Sequence, residues 1–195
     1  DMHAANDLGY KIKLIASAYL DENGLADVRV HPMLVSKKST LAHIDYVTNA
    51  VSLSGHPVGN ITLSGPGAGE FPTASSVVGD ILAIAAEIGK SDYILPMMRC
   101  KHSQNAQMKD ISQTINKYYI SINAKNNKGV IGKIGTICAN HDISLASIVQ
   151  RCVSEDNTAD ITVITELVKE ENMQKAIKLI EQDGNKVNSL IRVQV

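Results

Sequence analysis

Residues Gly65-Pro66-Gly67-Ala68-Gly69 run into Glu70-Phe71-Pro72-Thr73-Ala74-Ser75 and then into a long apolar stretch. Three glycines in five residues leave a backbone without Cβ atoms, free to adopt positive φ and to approach a ligand closely. Thr73 or Ser75 is placed to cap the helix predicted over 75–88, which turns that helix's first N–H groups and positive dipole end toward the loop. A glycine loop opening onto a helix N-terminus is a common way to hold a phosphate or another anion. The spacing matches neither Gly-x-Gly-x-x-Gly nor a Walker loop, so on spacing alone a tight turn ahead of a core helix is an equal reading.

The elements around the loop are legible. Lys11–Tyr19 and Ala26–Val35 alternate about the turn cluster Asp21-Glu22-Asn23-Gly24 and predict an antiparallel hairpin. Tyr46–Ser54 and Val58–Leu63 predict a second hairpin around Gly55-His56-Pro57, the two together forming an antiparallel meander. The 75–88 helix is apolar except at Ser76, Asp80 and Glu87, and a helix of that kind is expected to be covered on more than one side. Residues 96–113 lack periodicity and read as a linker, and Cys100-Lys101-His102 within it has no neighbouring acid or resolving thiol.

Beyond Lys117 the pattern becomes βαββαβ, the split βαβ ferredoxin-like topology. Strands are predicted over 118–124, 143–153, 158–165 and 187–195, with Asn126-Asn127-Lys128-Gly129 as the first turn. One helix presents Val130, Ile134, Ile137 and Cys138, and the other presents Met173, Ala176, Ile177 and Ile180, to a common core. Glu171 stands four residues before Lys175 on the outer face. In the last strand Val187, Ser189, Ile191, Val193 and Val195 are expected to share a face.

Composition narrows the class. A hydrophobic content of 44% with 20% charged residues is ordinary for globular protein and supplies two modest cores. The net charge of −1 argues against a general nucleic-acid binder. No apolar run reaches the length of a membrane span. Cys100, Cys138 and Cys152 form no Cys-x-x-Cys pair and read as reduced thiols, two of them in a core, in keeping with a cytoplasmic protein. The six histidines show no metal-ligand spacing, so no metal site is expected.

The full string around the loop is more specific than its spacing. Gly65-Pro66-Gly67-Ala68-Gly69-x-x-Pro72-Thr73-Ala74-Ser75 followed by Val77-Val78-x-Asp80-Ile81 resembles the cofactor-side segment of homoserine dehydrogenases. Leu8-Gly9-Tyr10-Lys11-Ile12-Lys13-Leu14-Ile15-Ala16, Arg29-Val30-His31-Pro32-Met33-Leu34-Val35, Asn49-Ala50-Val51 and Val58-Gly59 match further blocks in the family's order, over roughly residues 1–90. Ser39-Thr40 stands where the family usually has His-Pro. The resemblance implies an NAD(P)-dependent oxidoreductase interconverting aspartate semialdehyde and homoserine, with Gly67, Ala68, Gly69 and Thr73 on the cofactor side. It also implies that the nucleotide-binding segment and catalytic lysine lie upstream of the Leu8-Gly9-Tyr10 block. The chain is therefore expected to be a C-terminal fragment with no catalytic residue and no bound cofactor of its own.

The βαββαβ unit resembles an ACT domain, on the Gly129-Val130 turn, the helix that follows, Ile143-Ser144-Leu145 and Gln150. Asn126 and Lys128 replace the family's usual aspartate and proline. That resemblance implies an amino-acid effector, threonine first, held by Asn126, Gly129, Val130 and Gln150, and at least a dimer. Glycine N–H groups and a helix N-terminus suit a carboxylate, and an Asn carbonyl suits an ammonium without neutralising it. The expected fold class is α+β: a mostly antiparallel sheet with helices from a truncated catalytic domain (1–95), a linker (96–115), then the ferredoxin-like ACT domain (116–195). A non-enzymatic amino-acid-binding or dimerisation module stays open as the other reading, and the choice between NAD and NADP is not legible.

Overall fold

A computed structural model describes residues 1–88, 105–153 and 157–195, with the side chains of residues 152 and 153 left out. Its contacts divide the chain into two compact units, Asp1–Lys38 with Ala106–Val195, and Ser39–Asn105. The sequence division at 95 and 116 follows different lines, because the first hairpin packs with the C-terminal residues.

The larger unit is built on a mixed sheet. Its strands are β1 (Tyr10–Leu20), β2 (Leu25–Ser36), β5 (Gln107–Met108), β6 (Ile115–Lys125), β7 (Leu145–Val153), β8 (Thr158–Thr165), β9 (Val168–Lys169) and β10 (Lys186–Val193). The principal order is β1-β2-β10-β6-β8-β7, with β5 beside β2 and β9 beside β6. All main-path neighbours are antiparallel except β2 and β10, which run parallel with Met33 opposite Arg192 and Leu34 opposite Val193. Helices α3 (Val130–Ala139) and α4 (Glu170–Gln182) bury their predicted apolar stripes. Val130, Ile134, Cys138, Met173, Ala176 and Ile180 meet Ile120, Ile122, Ile161 and Val163 in one core. A smaller core joins Ala5 of helix α1 (Met2–Asp7) and Leu34 to Tyr119, Ile164 and Val193.

Ser39–Asn105 contains the hairpin β3 (Thr48–Gly55) and β4 (Gly59–Pro66), paired in register around a turn whose His56–Pro57 bond is cis, and helix α2 (Glu70–Glu87). The four strands of the two hairpins therefore lie in two separate sheets and are not one meander. Each hairpin closes locally, but β2 finds its second neighbour in β10.

Four further expectations are corrected. Helix α2 begins at Glu70 and not at Ser75; Pro72, which has no N–H, is tolerated in the first turn, where that donor would be unpaired anyway. None of the residues of α2 is buried, and Val77, Ile81, Leu82 and Ile84 stay more than half exposed, so nothing among the described residues covers it as predicted. In β10 the register shifts between Val187 and Ser189, so the five residues do not share one face: Val187 packs with Leu190 in the larger core, Ile191 with Val193 in the smaller. The 96–113 stretch is not wholly a linker, since Gln107 and Met108 pair with Leu25 and Ala26. Cys138 is buried as predicted. Cys100-Lys101-His102 lies outside the described residues, as does the side chain of Cys152.

Candidate functional site

The glycine loop connects β4 to α2. Gly69 takes φ 128° and ψ 159° as the helix N-cap, a backbone region open essentially to glycine alone. No side chain caps the helix, so neither Thr73 nor Ser75 has the predicted role. The N–H of Thr73 instead donates to the Gly69 carbonyl at 3.1 Å and closes the first turn. A Cβ on Gly67 would stand 1.9 Å from Nδ2 and 2.6 Å from Cγ of Asn49, so the loop lies directly on the start of β3. Gly67, Ala68, Gly69 and Thr73 are all exposed and fall on one short connection and the turn after it. Glu70 adds a carboxylate to that first turn, which favours the helix dipole but opposes an anion placed there.

The second set of predicted residues converges on one end of the ACT-like unit. Gly129 caps α3 in the left-handed conformation, φ 88°. The Asn126 N–H donates to the Asn157 carbonyl at 2.9 Å, tying the β6–α3 turn to the β7–β8 turn. Gln150 Nε2 donates to Asn126 Oδ1 at 3.1 Å across 24 positions of sequence. Gln150 stands where the register of β7 shifts, a place where bulges re-aim side chains. Val130 is 9% exposed and belongs to the core, so its side chain chiefly anchors the turn.

Sequence reasoning missed a buried polar cluster. Glu170, the first residue of α4, accepts hydrogen bonds from Tyr118, from Gln174 at 2.8 Å and from Arg192 at 2.6 Å. Asn116 donates to the Tyr118 hydroxyl at 3.0 Å and accepts from Arg29 at 3.2 Å, carrying the chain of bonds to β2. Burial alone would raise the Glu170 pKa, but the bonds from Tyr118, Gln174 and Arg192 and the guanidinium charge outweigh it, so it lies below the ordinary value. Burial first, then the bond to Glu170, pushes Tyr118 up to about 12. These residues come from β6, α4 and β10, separated by 52 and 22 positions. No local motif announces them; the one available signal is a glutamate at a helix start, which reads as ordinary dipole compensation.

An ACT-type βαββαβ unit and a separate unit with a glycine loop on a helix N-terminus make this an α+β chain. Comparison with known proteins agrees in both parts: residues 1–82 match the homoserine dehydrogenase family model and residues 118–185 the ACT domain model. The homoserine dehydrogenase of Synechocystis is 36% identical over 99% of this chain and 46% of its own length. That of Neisseria gonorrhoeae is 33% identical over 93% of this chain and 42% of its own. A crystal structure of a homoserine dehydrogenase from Thiobacillus denitrificans superimposes with a TM-score of 0.84 at 31% identity, covering all of this chain and 44% of that one. The chain is similar to homoserine dehydrogenases along its whole length. It spans less than half the length of these relatives.

Proposed function

We propose that this chain is the C-terminal part of an NAD(P)-dependent homoserine dehydrogenase that carries an ACT domain for amino-acid feedback. In that reaction a hydride passes between the hydroxyl-bearing carbon of L-homoserine and the nicotinamide, a proton leaves the hydroxyl, and L-aspartate 4-semialdehyde forms. The observation that carries the reading is the match along the whole chain to proteins named homoserine dehydrogenase. The residues present are suited to the cofactor side: Gly67, Ala68 and Gly69 offer a backbone a ligand can approach, and Thr73 a hydroxyl within the first turn of α2. The chain supplies no catalytic group in this reading, and alone it holds no cofactor. In the ACT unit, the Gly129 turn and the α3 N-terminus suit a carboxylate, and Asn126 and Gln150 suit the polar groups of a small amino acid, threonine being the first choice.

Two measurements test this. The purified chain is expected to show no homoserine-dependent NAD(P) reduction, and turnover above background overturns the assignment of its catalytic groups to an upstream segment. Calorimetric titration with L-threonine is expected to show binding that Gly129→Val abolishes, because φ 88° excludes a β-branched side chain. Absence of binding by threonine, isoleucine, methionine and serine leaves the ACT unit as an assembly module.

A further inference from the structure

Beside the Gly129 turn, on the side formed with the α4–β10 loop, lies a cavity of about 310 Å³ whose walls include Lys125, Asn127, Lys128, Val130, Lys133 and Asp183. Three of these are lysines and one is an aspartate, a formal excess of two positive charges. Asp183 is committed to Lys133, at 3.0 Å and 3.3 Å. Lys125 and Lys128 make no ion pair or side-chain hydrogen bond among the described residues. In the adjoining turn Asn126 Oδ1 takes the amide of Gln150, and Asn127 and Asn185 add neutral amides to the cavity wall. Among the described residues the cavity therefore offers a ligand the ammonium groups of Lys125 and Lys128, the amides of Asn127 and Asn185 and the positive end of α3. That set carries a net positive charge, its one carboxylate being paired with Lys133.

We infer that this cavity is a site for a small dianionic oxyanion, a phosphate ester or a dicarboxylate, and that it discriminates against a zwitterion. A zwitterion gains at its carboxylate what it loses at its ammonium beside Lys125 and Lys128, while a dianion gains at both ends. The inference is independent of the catalytic reading; it shares the Gly129 turn, Val130 and the α3 N-terminus with the amino-acid site proposed above.

The test is calorimetric titration of the 195-residue chain at low ionic strength with inorganic phosphate, with succinate and with L-threonine, repeated on Lys125→Gln and Lys128→Gln. Both lysines are exposed, so the variants are expected to keep the wild-type circular dichroism. Phosphate or succinate binding that weakens about tenfold or more in each variant, and that falls as salt rises, supports the site. Phosphate alone marks the ligand as a phosphate ester, succinate alone as a dicarboxylate. Anion binding unchanged in both variants marks an adventitious ion only and overturns the proposal, as does no binding at about 10 mM. Threonine binding that ignores both lysine substitutions, with no anion binding, also overturns it and leaves the amino-acid site standing. Anion binding without threonine does the reverse.

Discussion

Removing the Glu170 carboxylate should cost this fold more than any other single polar change among the described residues. Its side chain is 9% exposed and that of its partner Arg192 is 15% exposed. Glu170→Ala leaves the buried Tyr118 hydroxyl without its acceptor and a guanidinium buried without its counter-charge, while the exposed Gln174 amide turns to water. Arg192 is poorly placed to compensate, since its Nε is already buried with no partner. Breaking a buried pair from one side costs about 3–5 kcal/mol, against a total stability of about 5–15 kcal/mol for an ordinary domain. Glu170→Gln keeps the shape and one acceptor oxygen, able to serve Tyr118 and Arg192, but puts an NH2 donor in place of the other and removes the charge facing Arg192, so about half that loss is expected. Glu170→Ala with Arg192→Met removes both charges and should recover part of it, an interaction energy of about 0.5–3 kcal/mol.

Urea unfolding read by far-ultraviolet circular dichroism measures all three variants, the chain having no tryptophan. The pH dependence gives an independent reading. The Glu170 pKa is depressed in the folded state, so its stabilisation is present above the unfolded value of about 4.3 and is lost as pH falls through the folded value. The gap between wild type and Glu170→Gln should therefore close in acid. A Glu170→Ala cost below about 1 kcal/mol at neutral pH, or a gap that does not change with pH, refutes the reasoning, because either outcome puts the cluster in contact with solvent.

Two other expectations follow from exposure and titration. Tyr118 has its pKa raised to about 12, so the stabilisation from its neutral hydroxyl is present below the unfolded value of about 10 and is lost as pH rises through the folded one; thermal melts of Tyr118→Phe should lack that alkaline loss, and identical alkaline profiles would contradict it. Helix α2 presents Ile81 and Leu82 at 58% and 64% exposure, and burying each fully is worth about 1.5–3 kcal/mol, so the chain should self-associate and Ile81→Asp with Leu82→Asp should weaken that association; a wild-type monomer by sedimentation at micromolar concentration refutes it.

What the sequence disclosed and what it hid divide along the range of the interactions. The alternation of Ala159, Ile161 and Val163 in β8 and the stripe of Met173, Ala176 and Ile180 in α4 were readable because burial repeats with the period of the element. The turn at Gly55-His56-Pro57 was readable from residues within the turn itself. The start of α2 was not, because Pro72 reads as a loop residue until its place in a first helical turn is known. The break of register in β10 has no local mark: Asn188 is an ordinary polar residue, and only the pairing with β6 shows that a position has been added. At the candidate site, the turn from Asn126 to Gly129 was legible as a turn, and Gln150 as its companion only through family resemblance. The three lysines around the neighbouring cavity escaped notice because Lys133 belongs to the helix that follows the turn and Asp183 to a loop 50 positions away.

The parallel pairing of β2 with β10 changes what the two family segments mean physically. The homoserine dehydrogenase match ends at residue 82 and the ACT match begins at residue 118, yet α1, β1 and β2 lie in the sheet and core of the second. Ala5 and Leu34 come from the first segment; Tyr119, Ile164 and Val193, which pack with them, come from the second or its end. A domain cut at the family boundary would lay bare that apolar face and the edge of β10, which β2 otherwise occupies. The polar bonds run the same way, from Arg29 on β2 through Asn116 and Tyr118 to Glu170 on α4. The unit that carries the glycine loop is then an insertion, entered from the end of β2 at Ser39 and left at Asn105. The strand that precedes the glycine-loop unit in sequence is thus itself a member of the ACT sheet, so the boundary between the family segments does not coincide with the boundary of the sheet.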